Sequence, residues 1–245
     1  MPIGAHLAEL RRRLIISFFA VAAGMAAAFP FAGRLIDWLG RPLNQPLYFF
    51  SPTEAFWVHV KVALFGGLLL ALPVLFHQLW RFIAPALYRA ERRATLIFVG
   101  ASVIAFALGV AFCHLVAFPF ALRFLIDFGL SGGLTPVLSV GTYIGFAIKF
   151  YLAFGLIFEV PLALTLLARL GLLTAAGLAR RRRHALLANA IGAAVLTPTA
   201  DLFNMMLMLV PLTLLYEVGI LGARLFGRRP IAIHAPVEGE QGARS

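Results

Sequence analysis

The chain has 245 residues, of which 62% are hydrophobic and only 13% charged, with a mean hydropathy of +0.93. That leaves too little polar surface to cover a soluble globule of this size, and it predicts an all-α polytopic membrane protein. The net charge of +11 comes from basic residues in short loops, so no nucleic-acid partner is expected, and the single Cys113 excludes both an intramolecular disulfide and a thiol cluster for a metal.

Residues Ala5 to Arg13 read as an amphipathic lead-in helix. Arg11, Arg12 and Arg13, followed by an apolar stretch with small residues at Ala26 to Ala28, imitate a cleaved export signal, but the later spans and the lack of an exported domain argue against cleavage. Uncharged stretches predict six transmembrane helices at about 14–33, 57–80, 94–120, 143–168, 185–199 and 202–223. A hydrocarbon core of about 30 Å needs about 20 helical residues, which the first four supply. The last two are expected to be short, so they must thin the bilayer, sink into it or pack against longer neighbours. Segments 34–56, with Pro42, Pro46 and Pro52, and 123–142, with Gly132, Gly133 and Pro136, read as ordered caps on the outer face. The inner loop from Arg81 to Arg93 is short and stiffened by Pro85. Residues 1–229 thus form one membrane domain with a concave face, and residues 230–245 form a disordered cytoplasmic tail. There is no repeat of the kind that builds inverted-repeat transporters.

Basic residues set the expected orientation. With six spans both termini share one side, and that side holds 16 of the 21 Lys and Arg residues, including Arg180 to Arg183. The positive-inside rule makes it cytoplasmic, N-in and C-in. Arg180 to Arg183 then anchor the topology and touch anionic headgroups.

Glu159 lies near the middle of the apolar run 150–168. A carboxylate at membrane depth costs several kcal/mol unless it is protonated, hydrogen-bonded or facing a polar cavity, which makes it a candidate functional group. Pro161 removes a backbone donor beside it and kinks the helix. Two readings are open: an acid bonded to a Ser, Thr or Asn within the bundle, or one facing a groove where a visiting helix bonds it.

Several motifs stand in register with these spans. They are His6-Leu7-Ala8-Glu9-Leu10-Arg11, Ser51-Pro52-Thr53-Glu54-Ala55-Phe56, Gln78-Leu79-Trp80-Arg81-Phe82-Ile83-Ala84-Pro85-Ala86-Leu87-Tyr88 with Glu91-Arg92-Arg93, Phe154-Gly155 with Phe158-Glu159-Val160-Pro161, Leu196-Thr197-Pro198 with Asp201, and Tyr216-Glu217. In these the chain resembles the TatC family from about residue 5 to residue 226. The family supplies the signal-peptide receptor of the twin-arginine translocase, which moves folded proteins across bacterial and thylakoid membranes. The resemblance implies twin-arginine signal peptides and TatA- and TatB-type single-span proteins as partners, a multi-copy complex, a bacterial cytoplasmic (inner) membrane location, and no enzymatic activity or cofactor.

Adjacent arginines call for carboxylates, because a guanidinium offers planar paired donors that a carboxylate accepts as a fork. Glu9 and Glu91 are the acidic residues on the inner face between the first and fourth spans, so they are the candidate signal-peptide ligands. The alternative pairs Glu9 with Arg13 on its own helix and Glu91 with Arg92 or a neighbour. Phe82 lies beside that patch, where the family carries a recognition aromatic. Otherwise it is an interfacial anchor, as Trp80 also can be. Arg11 occupies a family motif position and is expected to support the N-terminal segment. The resemblance makes Glu159 the residue that meets a TatA or TatB helix.

Asp201 reads either as the N-cap of the sixth span or as the acidic residue the family carries in this outer turn, and Glu54 reads as a cap of the second span. Met205, Met206 and Met208 suit an adaptable docking face or simply face lipid. A rival reading is a proton-coupled transporter with Glu159, Lys149 and His114 as a relay. Glu54 with His59, and His77, lack HExxH-type metal spacing, and no metal site is expected.

Overall fold

A computed structural model describes residues 3–43, 45–83, 92–133, 135–197 and 201–227. Among these there is no strand beyond one isolated bridge, and ten α-helices follow in order. They are α1 (Ile3–Ala28), α2 (Ala32–Gly40), α3 (Pro52–Ile83), α4 (Arg92–Phe112), α5 (Phe118–Ser131), α6 (Val140–Ile157), α7 (Val160–Arg169), α8 (Ala175–Arg180), α9 (Arg182–Leu196) and α10 (Leu202–Phe226). Five stretches are long and apolar enough to cross a membrane: Leu7–Leu43, Pro52–Phe82, Leu96–Ser131, Val140–Arg169 and Leu202–Phe226.

The expected lead-in and first span are one continuous helix, since nothing between Ala5 and Ala28 breaks it. Pro30 sits in a 3-10 turn after it, and α2 carries the helical path through residues expected to be loop. The third span also runs further than expected. A five-residue π turn, Cys113–Ala117, joins α4 to α5 and accommodates one extra residue without ending the rod.

The last span departs from expectation. At 25 residues α10 is about 37 Å long, so it is not short. Glu217 does not stop it, because Arg182 receives that carboxylate in a two-pronged bond, Nε to Oε1 at 2.7 Å and Nη2 to Oε2 at 2.7 Å. α9 is short as expected: its 15 residues cover about 23 Å.

α1 and α3 pack antiparallel along their length. A Cβ at Gly24 would collide with the carbonyl of Gly67, and one at Gly67 with the backbone of Met25, so the two backbones touch where only glycine fits. At the inner end the Arg13 guanidinium Nη1 donates to the carbonyl of Gln78 at 3.1 Å. α4 meets α6 in the same manner, with Gly109 against the Phe154 carbonyl. The core beyond these contacts is aromatic: Phe118, Phe150, Tyr151 and Phe154 are fully enclosed, in tilted ring contacts with centroids 5.4–5.9 Å apart.

The end of the bundle where α3 and α6 start is tied by polar contacts. Tyr48 N donates to the Leu138 carbonyl at 3.1 Å, and Val140 N to the Tyr48 carbonyl at 2.8 Å. Glu54 accepts from Phe50 N at 2.8 Å, from Gly141 N at 2.8 Å and from the Ser139 hydroxyl. The cap of α3 is Ser51, whose Oγ accepts from Glu54 N at 3.3 Å, while Glu54 itself holds the chain before the helix and clamps the start of α6.

Candidate functional site

Candidate groups gather at the inner rim and in the interior. At the rim the helix register decides the geometry. Gly24 faces Gly67 and Arg13 faces Gln78, so eleven residues down α1 match eleven residues along α3. Four residues further on each helix, on the same faces, stand Glu9 and Phe82. The antiparallel pair thus sets Glu9 level with Phe82 at one end of the bundle.

Glu9 pairs with Arg13 one turn away, the intrahelical alternative the sequence left open. Arg13 is buried and bridges two elements, with Nη2 on Glu9 and Nη1 on the Gln78 carbonyl. From sequence it counted as a topology charge and as the alternative partner of Glu9, with no hint of its bond to α3. Its spacing of four from Glu9 was the one available signal of its positioning role. Arg11 is exposed and, two residues from Glu9, lies about 200° around the α1 axis, so it does not join this face. Glu91 lies outside the described residues, as do Pro85 and the tail 230–245.

In the interior, three elements meet at Glu159. Phe158 and Glu159 interrupt the fourth span between α6 and α7, because Pro161 has no N–H to offer the preceding turn. Ser102 of α4, fully buried, lies beside Glu159 and accepts from Trp80 Nε1 of α3 at 3.0 Å. The carboxyl oxygen Oε1 is buried and meets no hydrogen-bond partner among the described residues. An N–H or O–H carried in by another helix would complete it.

Trp80 corrects an expectation. It is buried and bonded to Ser102, so it is not an interfacial anchor. Ser102 went unnoticed; its signal was a lone hydroxyl in an apolar run at membrane depth. Met208 is likewise buried in the core, whereas Met206 is exposed.

Asp201 is the N-cap of α10: it accepts from Asn204 N at 2.7 Å through Oδ1 and from Asn204 Nδ2 at 2.9 Å through Oδ2. The three groups of the proton-relay reading have separate surroundings. His114 Nδ1 bonds the Tyr151 hydroxyl at 2.6 Å, Glu159 lies beside Ser102, and Lys149 lines a different groove. No cluster of three or more His, Cys, Asp or Glu residues stands ready for a metal among the described residues.

Residues 5–211 match the family model described as Sec-independent protein translocase protein (TatC). The chain is 42% identical over 234 residues to the Sec-independent protein translocase protein TatC of Desulforapulum autotrophicum, covering 93% of this chain and 86% of that one. It is 39% identical over 235 residues to the TatC of Aquifex aeolicus, covering 94% and 97%. Its fold matches a crystal structure of the twin arginine translocase receptor TatC with a TM-score of 0.78 and 38% identity, over 90% of this chain and 99% of that one.

Proposed function

The chain belongs to the TatC family of Sec-independent protein translocase proteins, and on that premise we propose that it is the receptor subunit of a twin-arginine translocase in a bacterial cytoplasmic membrane. It binds the paired arginines of signal peptides on folded cargo at its inner rim, through Glu9 and Glu91 with Phe82 beside them. The observation that carries this reading is the α1–α3 register that sets Glu9 level with Phe82. A guanidinium arriving there finds a carboxylate already held in place by Arg13, whose second bond to Gln78 keeps it from following the ligand. Two flat, paired-donor cations exploit that acceptor in a way that two lysines do not.

Both termini are cytoplasmic, with α9 as the fifth and shortest span. The exposed Phe49, Phe50, Phe56 and Trp57 form an aromatic belt at the opposite interface. Because α9 covers about 23 Å, the bilayer thins beside it. In the interior, Glu159 docks the helix of a TatA- or TatB-type protein through its unpartnered oxygen. Several copies assemble around these contacts.

The test is crosslinking in membranes that contain the partner proteins. A twin-arginine signal peptide labels the inner rim and a twin-lysine peptide does not. Glu9→Ala and Glu91→Gln each reduce labelling several-fold while the protein stays inserted. Undiminished labelling in both variants would remove these acids from the site.

A further inference from the structure

A groove of about 910 Å³ opens between α3, α5 and α6, away from both Glu159 and the inner rim. Its walls are apolar except for Thr135, Thr142 and two cations, Lys61 and Lys149. Lys61 lies nine residues from the start of α3, and Lys149 lies nine residues from the start of α6. Glu54 of α3 bonds Gly141 of α6, so the two helix starts are level and the two lysines leave their helices at one depth, about 13 Å in at the backbone. No carboxylate lines the groove, and among the described residues neither lysine takes part in an ion pair.

Two like charges on an apolar wall are unfavourable for each other and for the membrane, unless an anion joins them. Along α6 the groove runs from Thr142 to Leu152, about 15 Å. That is half of a hydrocarbon core of about 30 Å, the depth of one leaflet. Lysine stems carry their charge toward the interface, and an ammonium binds phosphate as a point charge. We propose that this groove is a binding site for one anionic phospholipid, its acyl chain along α6 and its phosphate between Lys61 and Lys149. Thr142 at the groove mouth supplies a hydroxyl to the headgroup. Assigning the lipid to the outer leaflet rests on the orientation proposed above. The preference for an anionic headgroup does not, so it can fail or hold independently of the receptor reading.

Native mass spectrometry of the full chain released from vesicles of equal phosphatidylglycerol and phosphatidylcholine tests it. The expected result is retention of a single phosphatidylglycerol, favoured at least ten-fold over phosphatidylcholine. Lys61→Gln with Lys149→Gln brings that ratio near one, and Lys61→Arg with Lys149→Arg keeps it, which separates lost charge from lost folding. A Cβ at Gly145 meets open space, so Gly145→Leu fills the groove and removes the bound lipid although both lysines remain. Displacement of the lipid by millimolar inorganic phosphate would show that the phosphate alone suffices and would overturn the acyl-chain part. Equal retention of both lipids, or a preference that survives the double Gln variant, overturns the proposal. So does a crosslinker at Lys149→Cys that captures a single-span partner protein in place of lipid.

Discussion

Trp80 of α3 donates its Nε1–H to the hydroxyl of Ser102 on α4 at 3.0 Å, beside the break between α6 and α7. One serine thus ties two spans next to the buried acid, whose Oε1 meets no partner among the described residues.

Removing that serine separates scaffold from docking. Ser102→Ala leaves Trp80 Nε1 without its acceptor, which costs about 1–3 kcal/mol. The melting temperature in detergent is expected to fall. Glu159→Ala, by contrast, removes the stranded acid itself. It should leave signal-peptide labelling intact and change crosslinks to TatA- or TatB-type helices. Unchanged partner contact would refute the role of Glu159.

The helix contact between α1 and α3 gives an internal control. Gly24→Ala drives a Cβ into the Gly67 carbonyl, whereas a Cβ at Gly33 meets nothing within 4 Å. Gly33→Ala is expected to be neutral, or stabilising by up to about 1 kcal/mol through helix propensity. Gly24→Ala should lower the melting temperature measurably. Because the same contact sets the register of Glu9 and Phe82, it should also weaken signal-peptide labelling, and equal behaviour of the two variants would sink the register argument.

Arg13 is expected to act through position. Arg13→Ala removes the charged bonds to Glu9 and the Gln78 carbonyl, a loss of about 1.5–3 kcal/mol for each such bond. Arg13→Lys keeps the charge but cannot span both acceptors with a planar fork. Both variants should reduce twin-arginine labelling in membranes, and full labelling with Arg13→Lys would mean that charge alone suffices.

At the outer face Glu54→Gln discards an ionic acceptor shared by Phe50, Ser139 and Gly141. The expected consequence is faster protease cleavage between residues 44 and 51, measured on inserted protein from the outer side, with a melting temperature several degrees lower. No change in cleavage rate would show that Tyr48 and its backbone bonds hold the cap without the carboxylate.

The bidentate pair Arg182–Glu217 is exposed at both ends, so its contribution is expected to be modest. A double-mutant cycle with Arg182→Ala and Glu217→Ala should give a coupling of at most about 1 kcal/mol, smaller at high salt. A coupling several times larger would show that the pair is shielded by lipid.

Much of this chain was legible because hydropathy and proline act locally. The long spans, the interruption before Pro161 and the N-cap at Asp201 depend on residues within a few positions of one another. The reading carried the last span past Glu217 to residue 223 but still counted it short, and it did not foresee that Arg182, 35 positions earlier, pairs with that acid. The third span was read straight through the π turn at Cys113–Ala117 but ended at about residue 120, because Arg123 closes the uncharged stretch, whereas α5 continues to Ser131.

What the amino-acid order determined by itself was where the long apolar rods lie, where proline breaks one, and which acids stand out against their surroundings. The tertiary structure alone decided that Trp80 is buried on Ser102, that Glu54 joins two helix starts, that Glu9 is level with Phe82, and that Lys61 shares a groove with Lys149. The physical reason is that hydropathy sums over neighbours in the chain. A hydrogen bond or a shared cavity depends on the rotation and register of helices whose contacts lie tens of residues apart, and close glycine packing sets that register.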